Sequence, residues 1–399
     1  MKCKLTNKKI EPFMSFGKMP LANGFIEEKD FGSEFFFEME AGFSEQLSLF
    51  QLNDHPNPTK MFNEKYPFFT GSSEYMKLHF KNYADWLAKK YLNSNSKLIE
   101  IGSNDGTFLS NFKNSSIDYI GFEPSKNVAN KAIENRIKTI SNFFNIENIR
   151  DLKNFKQKTD AICASNVICH IPDLKSLILT VDELLAKKGV FVFEEPYMGS
   201  MFEKVSYDQI YDEHIFMFSA TSVKRIAEMF NYDLIDALPQ VTHGGSMRYV
   251  IARKNERNID QNVINVLSLE KKRNLDNIES CLMFKKNCEK SKNKIVSNLT
   301  KIKEEGKNIC GYAATSKSTT ILNYCNLDKS IFDYICDTTK EKIGKFSPGT
   351  HIPIVPISHF HNNLPDVAYL FAWNHKNEIF SKEKDFVNKG GKWISHVSI

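Results

Sequence analysis

Apolar positions recur with two periods along this chain, and the changes of period divide it. SSEYMKLHFKNYADWLAKKYL (72–92) repeats its apolar residues at steps of three and four, which predicts a helix. Short apolar runs then alternate with helical stretches. KLIEIGS, DYIGFEPS, KTISNF, TDAICASNVICHI and GVFVFEEPY read as strands, with helices predicted over DGTFLSNFK, KNVANKAIEN and LKSLILTVDELLAKKG. TSVKRIAEMFNYDLIDALP adds a helix and a strand, and GGSMRYVIARK a closing strand. Such a rhythm predicts an α/β domain over 71–254, a mostly parallel doubly wound sheet. Residues 1–70 are rich in Phe, Gly, Pro and Asn without a long helical period, which predicts a small loop-rich N-terminal lobe. Residues 255–305 are charged and free of Pro and Gly, so a helix or helix pair is expected as a linker. A second α/β unit over 306–399 begins at NICGYAATSKSTTILNYC.

At 399 residues the chain is too long for one ordinary core. It is 41% hydrophobic and 25% charged, with a formal net charge of +5. Its lysines are dispersed and form no arginine-rich block, which gives no support to nucleic-acid binding. No apolar run reaches the ~18 residues of a membrane span, and MKCKLTNKKIEPF lacks a signal-peptide core. The eight cysteines include no CxxC pair. Scattered thiols without a leader predict a reduced, cytoplasmic protein.

Candidate chemistry gathers at strand ends. Glu100, Gly102, Asn104, Asp105 and Gly106 form an acid-rich turn between a strand and the following segment. The spacing is not GxGxxG, so a dinucleotide cradle is disfavoured, and the acids suit a cationic ligand with an amino-acid moiety. Glu123 ends the next strand, ~20 residues on, where a carboxylate can hold both hydroxyls of a ribose. His170 follows the fourth strand, and Glu194 and Glu195 end the fifth; this rim is where parallel sheets bind ligands. YDQIYDEHIFMFS then places Tyr211, Asp212, Glu213 and His214 in succession. A helix would align Tyr207, Tyr211 and His214, whereas a strand would set Tyr211 and Glu213 against His214. In either arrangement a carboxylate could fix the tautomer of His214. THGGSMRYV offers His243 and, for an anion, Arg248.

The turn and Glu123 resemble those of class I S-adenosylmethionine-dependent methyltransferases. By that likeness Asn142 and Phe143 lie near the adenine, and Ser165 and Asn166 complete the cofactor site. EPYMGSMFEKVSYDQIYDEHIFMFSATSV, VTHGGSMRYVIARK, GYAATSKSTTILNYC with FSPGTHIPI, and the opening FMSFGKMPLANGFI together resemble the sugar C-methyltransferases of nucleotide-linked 4-keto-6-deoxy sugars, along essentially the whole chain. The resemblance implies a class I methyltransferase sheet with a small N-terminal lobe and a C-terminal Rossmann-like domain that helps hold a nucleotide-diphosphate sugar. It implies methyl transfer to carbon, expected at carbon 3 through an enolate, with no nucleic acid, membrane or obligate protein partner. His214 is expected to be the base, oriented by Glu213 and Tyr211. His170 is expected at the keto oxygen and Tyr66 over the pocket. Glu195, His243, Arg248, Ser316, Lys317, Ser318, Lys342 and His351 are expected to bind the sugar nucleotide. Methyl transfer to oxygen or nitrogen, or a non-catalytic sugar-nucleotide-binding protein, are the alternatives. The family's lobe usually carries zinc on two CxxC pairs. Here Cys3 is followed by Lys4, Leu5 and Thr6, and Ser44 and Leu47 stand where the second pair belongs, so no zinc is expected.

Overall fold

A computed structural model describes residues 1–64 and 66–399. The N-terminal lobe is less irregular than its composition predicts. It forms strands β1 (Pro12–Pro20), β2 (Phe36–Ser44) and β3 (Leu49–Leu52), paired antiparallel. Two register shifts interrupt β1 against β2, and these break the alternation that would have marked it.

The central sheet begins with β4 (Lys97–Ile101), β5 (Asp118–Phe122), β6 (Thr139–Ile140), β7 (Thr159–Ser165) and β8 (Leu185–Pro196). The chain then leaves it for a two-residue strand, β9 (Phe216–Met217), which pairs with β3 of the lobe. It returns as β10 (Tyr232–Gln240) and β11 (Ser246–Arg253). The strand order is β10-β11-β8-β7-β4-β5-β6, parallel except that β11 runs against both neighbours. This is the class I methyltransferase arrangement. Its inner strands read as continuous apolar runs because helices cover both faces. DGTFLSNFK makes only a short 3-10 turn at Leu109–Phe112 rather than a full helix.

The linker is the helix pair Gln261–Lys272 and Ile278–Glu304. Beyond it, β12 (Ile309–Tyr312), β13 (Tyr334–Asp337), β14 (Ile354–Pro356), β15 (Val367–Leu370) and β16 (Lys392–Ile394) form an all-parallel sheet in the order β14-β13-β12-β15-β16. Among the described residues, no helix is long and apolar enough to cross a membrane. All eight cysteines are buried and unpaired.

One apolar core joins the regions that sequence separates. Phe13, Phe16 and Phe50 of the lobe pack with Met198, Met201 and Tyr207, with Phe284 of the long helix, and with Ile321 of the helix Ser316–Tyr324 and Tyr369 of the C-terminal sheet. Buried hydrogen bonds pin the seam. Thr319 donates to the Ala22 carbonyl at 2.8 Å, Thr320 to the Ile210 carbonyl at 2.9 Å, and the Trp373 indole to Asp208 at 2.6 Å.

Candidate active site

The crossovers on either side of β4 and β7 run in opposite directions, so a crevice opens beyond their carboxyl ends. A cavity of about 720 Å³ starts there and reaches the β12 and β13 turns of the C-terminal sheet. That volume lies in the upper part of the range for small-molecule sites.

The β4 turn needs left-handed backbone at Gly102 (φ 67°) and Asn104 (φ 49°). A Cβ at Gly102 would also strike Val167 at 2.3 Å. Glu123 clamps the turn: one carboxylate oxygen accepts the Asn104 N–H at 3.0 Å, the other the Ser125 N–H at 2.8 Å. Burial, followed by the neighbouring acids Asp105 and Glu123, drives the Glu100 carboxyl well above its usual range. Burial also raises Glu123. Among the described residues, Glu100 Oε2 is buried without a hydrogen-bond partner. Carboxyls crowded in this way are suited to a cationic ligand. Gly102, Asn104, Glu123, Phe143, Ser165 and Asn166 line the cavity as expected positions. Asp105, Gly106 and Asn142 do not. Asp105 instead accepts the Gly71 N–H at 2.7 Å and so fastens a flap, Pro67–Ser72, over the turn. The Asn142 side-chain amide oxygen (Oδ1) accepts the N–H of its neighbour Phe143.

YDQIYDEHIFMFS is neither a helix nor a long strand. Tyr207–Gln209 form a 3-10 turn, and the chain then runs irregularly into β9. Among the described residues, no carboxylate orients His214. Its Nδ1 lies 2.7 Å from the Gln209 carbonyl, which only accepts, so Nδ1 carries the proton and Nε2 the lone pair. The Tyr211 hydroxyl donates to that Nε2 at 2.7 Å. Burial, reinforced by His170, holds His214 well below the ordinary imidazole range, and hence neutral. His170 Nδ1 donates to the Glu213 carbonyl at 2.6 Å. The two imidazole rings lie 5.2 Å apart. Tyr66, Tyr211, Glu213, His170 and His214 all line the cavity.

Other expected substrate residues have different work. Both Glu195 and Arg248 lie off the cavity lining. Glu195 accepts the N–H groups of Val167 and Ile168, fixing the turn that carries His170. Arg248 meets a protein carboxylate rather than a ligand: it donates to Glu194 at 2.7 Å and stacks 3.9 Å over Tyr83. His243 does face the cavity, with left-handed backbone (φ 53°) and an Nε2 that has no hydrogen-bond partner among the described residues; burial, then Lys317, pushes it down to about 3. In the C-terminal wall Ser316, Lys317 and Lys342 line the cavity. Lys317 reaches Asn374 at 3.1 Å, and Lys342 reaches the Ala314 carbonyl at 2.7 Å. Ser318 is consumed in a capping box with Thr315, and His351 stacks on Phe31 and pairs with Glu34, outside the lining. Sequence reasoning missed Asn23, Asp337, Thr339, Asn374 and His375, which complete the wall. Their signal lay in turns at strand ends.

Among the described residues, Cys169, His170 and His214 hold ligand-type atoms within 4.8 Å of one another. Both histidines are already engaged through Nδ1, and burial drives the Cys169 thiol far from its ionised form. A metal there has little to recommend it. In the lobe, burial opposes ionisation of the Cys3 thiol, but hydrogen bonds with Thr6 and Ser44 outweigh it. Leu47, the fourth member of the expected ligand set, is buried and apolar. One thiol and two hydroxyls do not make a tetrahedral zinc site.

Comparison with known proteins adds three family matches. Residues 74–237 match a methyltransferase domain, and 241–398 match the C-methyltransferase C-terminal domain. Residues 3–62 match a proposed zinc-binding domain, in tension with the ligand set just described. The C-methyltransferase NovU of Streptomyces niveus is 27% identical over 384 residues, spanning 96% of this chain and 91% of that protein. Among solved structures, the PH0226 protein of Pyrococcus horikoshii is similar with TM-score 0.37 and 15% identity, over 47% of this chain and 95% of that one. Magnesium protoporphyrin IX methyltransferase of Synechocystis gives 0.34 and 12%, over 45% and 83%. Neither adds to what the strands themselves establish.

Proposed function

We propose that this chain, a member of the S-adenosylmethionine-dependent C-methyltransferases, methylates carbon 3 of a nucleotide-linked 4-keto-deoxysugar. The observation that carries the reading is His214: a neutral imidazole with its tautomer locked by the Gln209 carbonyl and its Nε2 lone pair at the cavity. The methyl donor supplies an electrophilic methyl on a sulfonium, held by the β4 turn with Glu123 on its ribose. His214 Nε2 takes the carbon-3 proton, acidified by the neighbouring ketone. Its bond from Tyr211 must first break, because Nε2 has one lone pair, and this frees that hydroxyl to donate to the developing enolate oxygen. His170 already spends its Nδ1 proton on Glu213, so it can donate to the same oxygen only as an imidazolium. The enolate carbon forms the new C–C bond as the S–CH₃ bond breaks, leaving S-adenosylhomocysteine, and His214 passes its proton to water. Lys317 and Lys342 support diphosphate binding on the opposite wall.

Incubation with a panel of nucleotide 4-keto sugars and the methyl donor tests this. One sugar should gain a methyl mass at carbon 3. With S-adenosylhomocysteine in place of the donor, that carbon should exchange its proton with deuterated water. A product bearing an O- or N-methyl group, with no exchange, overturns the carbon assignment.

The same reading extends to the lobe, which we take to fold without zinc on Cys3, Thr6, Ser44 and Leu47. Purified protein should carry well under one zinc per chain, and a chelator should leave its thermal midpoint unchanged. Unpaired buried cysteines support action in a reducing, cytoplasmic setting.

A further inference from the structure

The PLAN segment of the N-terminal lobe, Pro20 to Asn23, enters the active site although 190 residues separate it from the catalytic loop. A tight turn closed by the Gly24 N–H on the Leu21 carbonyl sets Ala22 and Asn23 at its tip. Both polar groups of the buried Ala22 backbone are spoken for. Its N–H donates to Asp212 at 3.1 Å, and its carbonyl accepts from Thr319 at 2.8 Å. The turn is thus fixed to the catalytic loop on one side and to the C-terminal domain on the other. From this mount the Asn23 amide donates to Glu213 Oε1 at 2.7 Å, and Asn23 itself lines the cavity.

Glu213 is held twice, by Asn23 at its carboxylate and by His170 at its carbonyl. Among the described residues its second carboxylate oxygen accepts no hydrogen bond. We propose that Asn23 is a positioning residue: by occupying Oε1 with a neutral donor, it fixes the Glu213 carboxylate so that Oε2 accepts a hydroxyl of the sugar. This rests on the assignment of the sugar to this cavity. A neutral amide suits the place, because Asp212, Tyr66, Tyr211, His170 and Lys342 already surround Glu213. Another carboxylate there would repel it, and a cation would bind Glu213 in place of the sugar.

A double-mutant cycle decides it. Asn23→Ala should lower kcat/KM for the sugar on the order of 10-fold, the size expected of a lost hydrogen bond to a charged group, chiefly through KM. Affinity for S-adenosylhomocysteine should stay within about twofold. In a Glu213→Ala background the same change should cost about twofold or less, because its target is gone. Asn23→Asp should be poor at pH 8 and recover as pH falls and the paired carboxyls share a proton, a response that a merely structural role would not give. Losses that simply multiply across the two positions, or an Asn23→Ala enzyme of native kcat/KM, overturn the proposal. Thermal midpoints of the same four proteins read the pair with no substrate. Non-additive losses keep Asn23 as the anchor of Glu213, and additive losses remove it. A native enzyme that methylates no sugar in the panel sinks the substrate assignment alone and leaves that thermal test standing.

Discussion

Replacing His214 with alanine should lower turnover by about 10²–10⁴-fold, the range for loss of a positioned base, while affinity for S-adenosylhomocysteine is kept. Among the described residues, the His214 ring hydrogen-bonds to Tyr211 and the Gln209 carbonyl and not to the β4 turn, so calorimetry with the demethylated product should give a near-native constant. Carbon-3 exchange should vanish along with methylation. The pH profile offers a second check. Burial holds the His214 imidazole below its usual range, so protonation abolishes the base only at correspondingly acidic pH. The acid limb of kcat/KM should therefore lie below the ~6.5 of an ordinary histidine and be absent from the residual activity of His214→Ala. His214→Ala with near-native turnover would remove it as the base and point to His170.

Arg248→Met should cost about 3–5 kcal/mol of stability, the penalty for stranding a buried charge. Glu194 lies at the end of β8 with 1% of its side chain exposed, and it faces Arg248 across the β8–β11 pair. Its other oxygen takes a 2.6 Å contact from His79. Methionine fills much of the same space between Tyr83 and Trp86 but leaves the carboxylate one partner short. Burial alone would raise the Glu194 carboxyl; His79 and Arg248 outweigh it and hold it below the ordinary carboxylate range. A depressed folded value contributes stability that is present above the unfolded pKa of ~4.3 and lost as pH falls through the folded one. The deficit of Arg248→Met should accordingly be largest near neutrality and shrink in acid. Adding Glu194→Leu should recover much of it, since an apolar pair can replace a buried ion pair without loss. Urea unfolding of the two variants checks both statements, and an Arg248→Met protein as stable as the native one refutes the first.

The same two residues mark the limit of what sequence conveys. Glu123 was legible because a strand, an acid-rich turn and a second acid at the expected interval follow from local pattern. His214 was legible as chemistry in a crowded stretch. Arg248 was misread as an anion site because its partner is set by register: β11 runs against β8 and brings residue 248 opposite residue 194. Nothing local to either strand encodes that alignment. The group that orients His214 is a backbone carbonyl, which has no residue signature at all. Asn23 could be singled out only as part of a motif; its target lies 190 residues away. In the lobe, bulged β1 carries Pro and Gly where a regular strand would alternate, so a sheet passed for loops.

The apolar core shared by lobe, long helix and C-terminal sheet bears on how this enzyme could be recombined with its relatives. Phe13, Met201, Phe284 and Tyr369 come from four stretches of chain yet fill one volume. A hybrid cut at 70 or at 305 would join sides of that volume drawn from different parents, and mismatched side chains there leave voids or overlaps costing several kcal/mol. Crossover points that spare this one volume would instead carry β1–β3, the 198–217 segment and everything after 260 as one heritable block, although Leu49 and Phe216 of that block also pack with Ile99 and Ile162 in a second core. They would exchange only the β4–β7 half that cradles the methyl donor. Substrate preference would travel with the larger block, although its pieces are scattered from one end of the chain to the other.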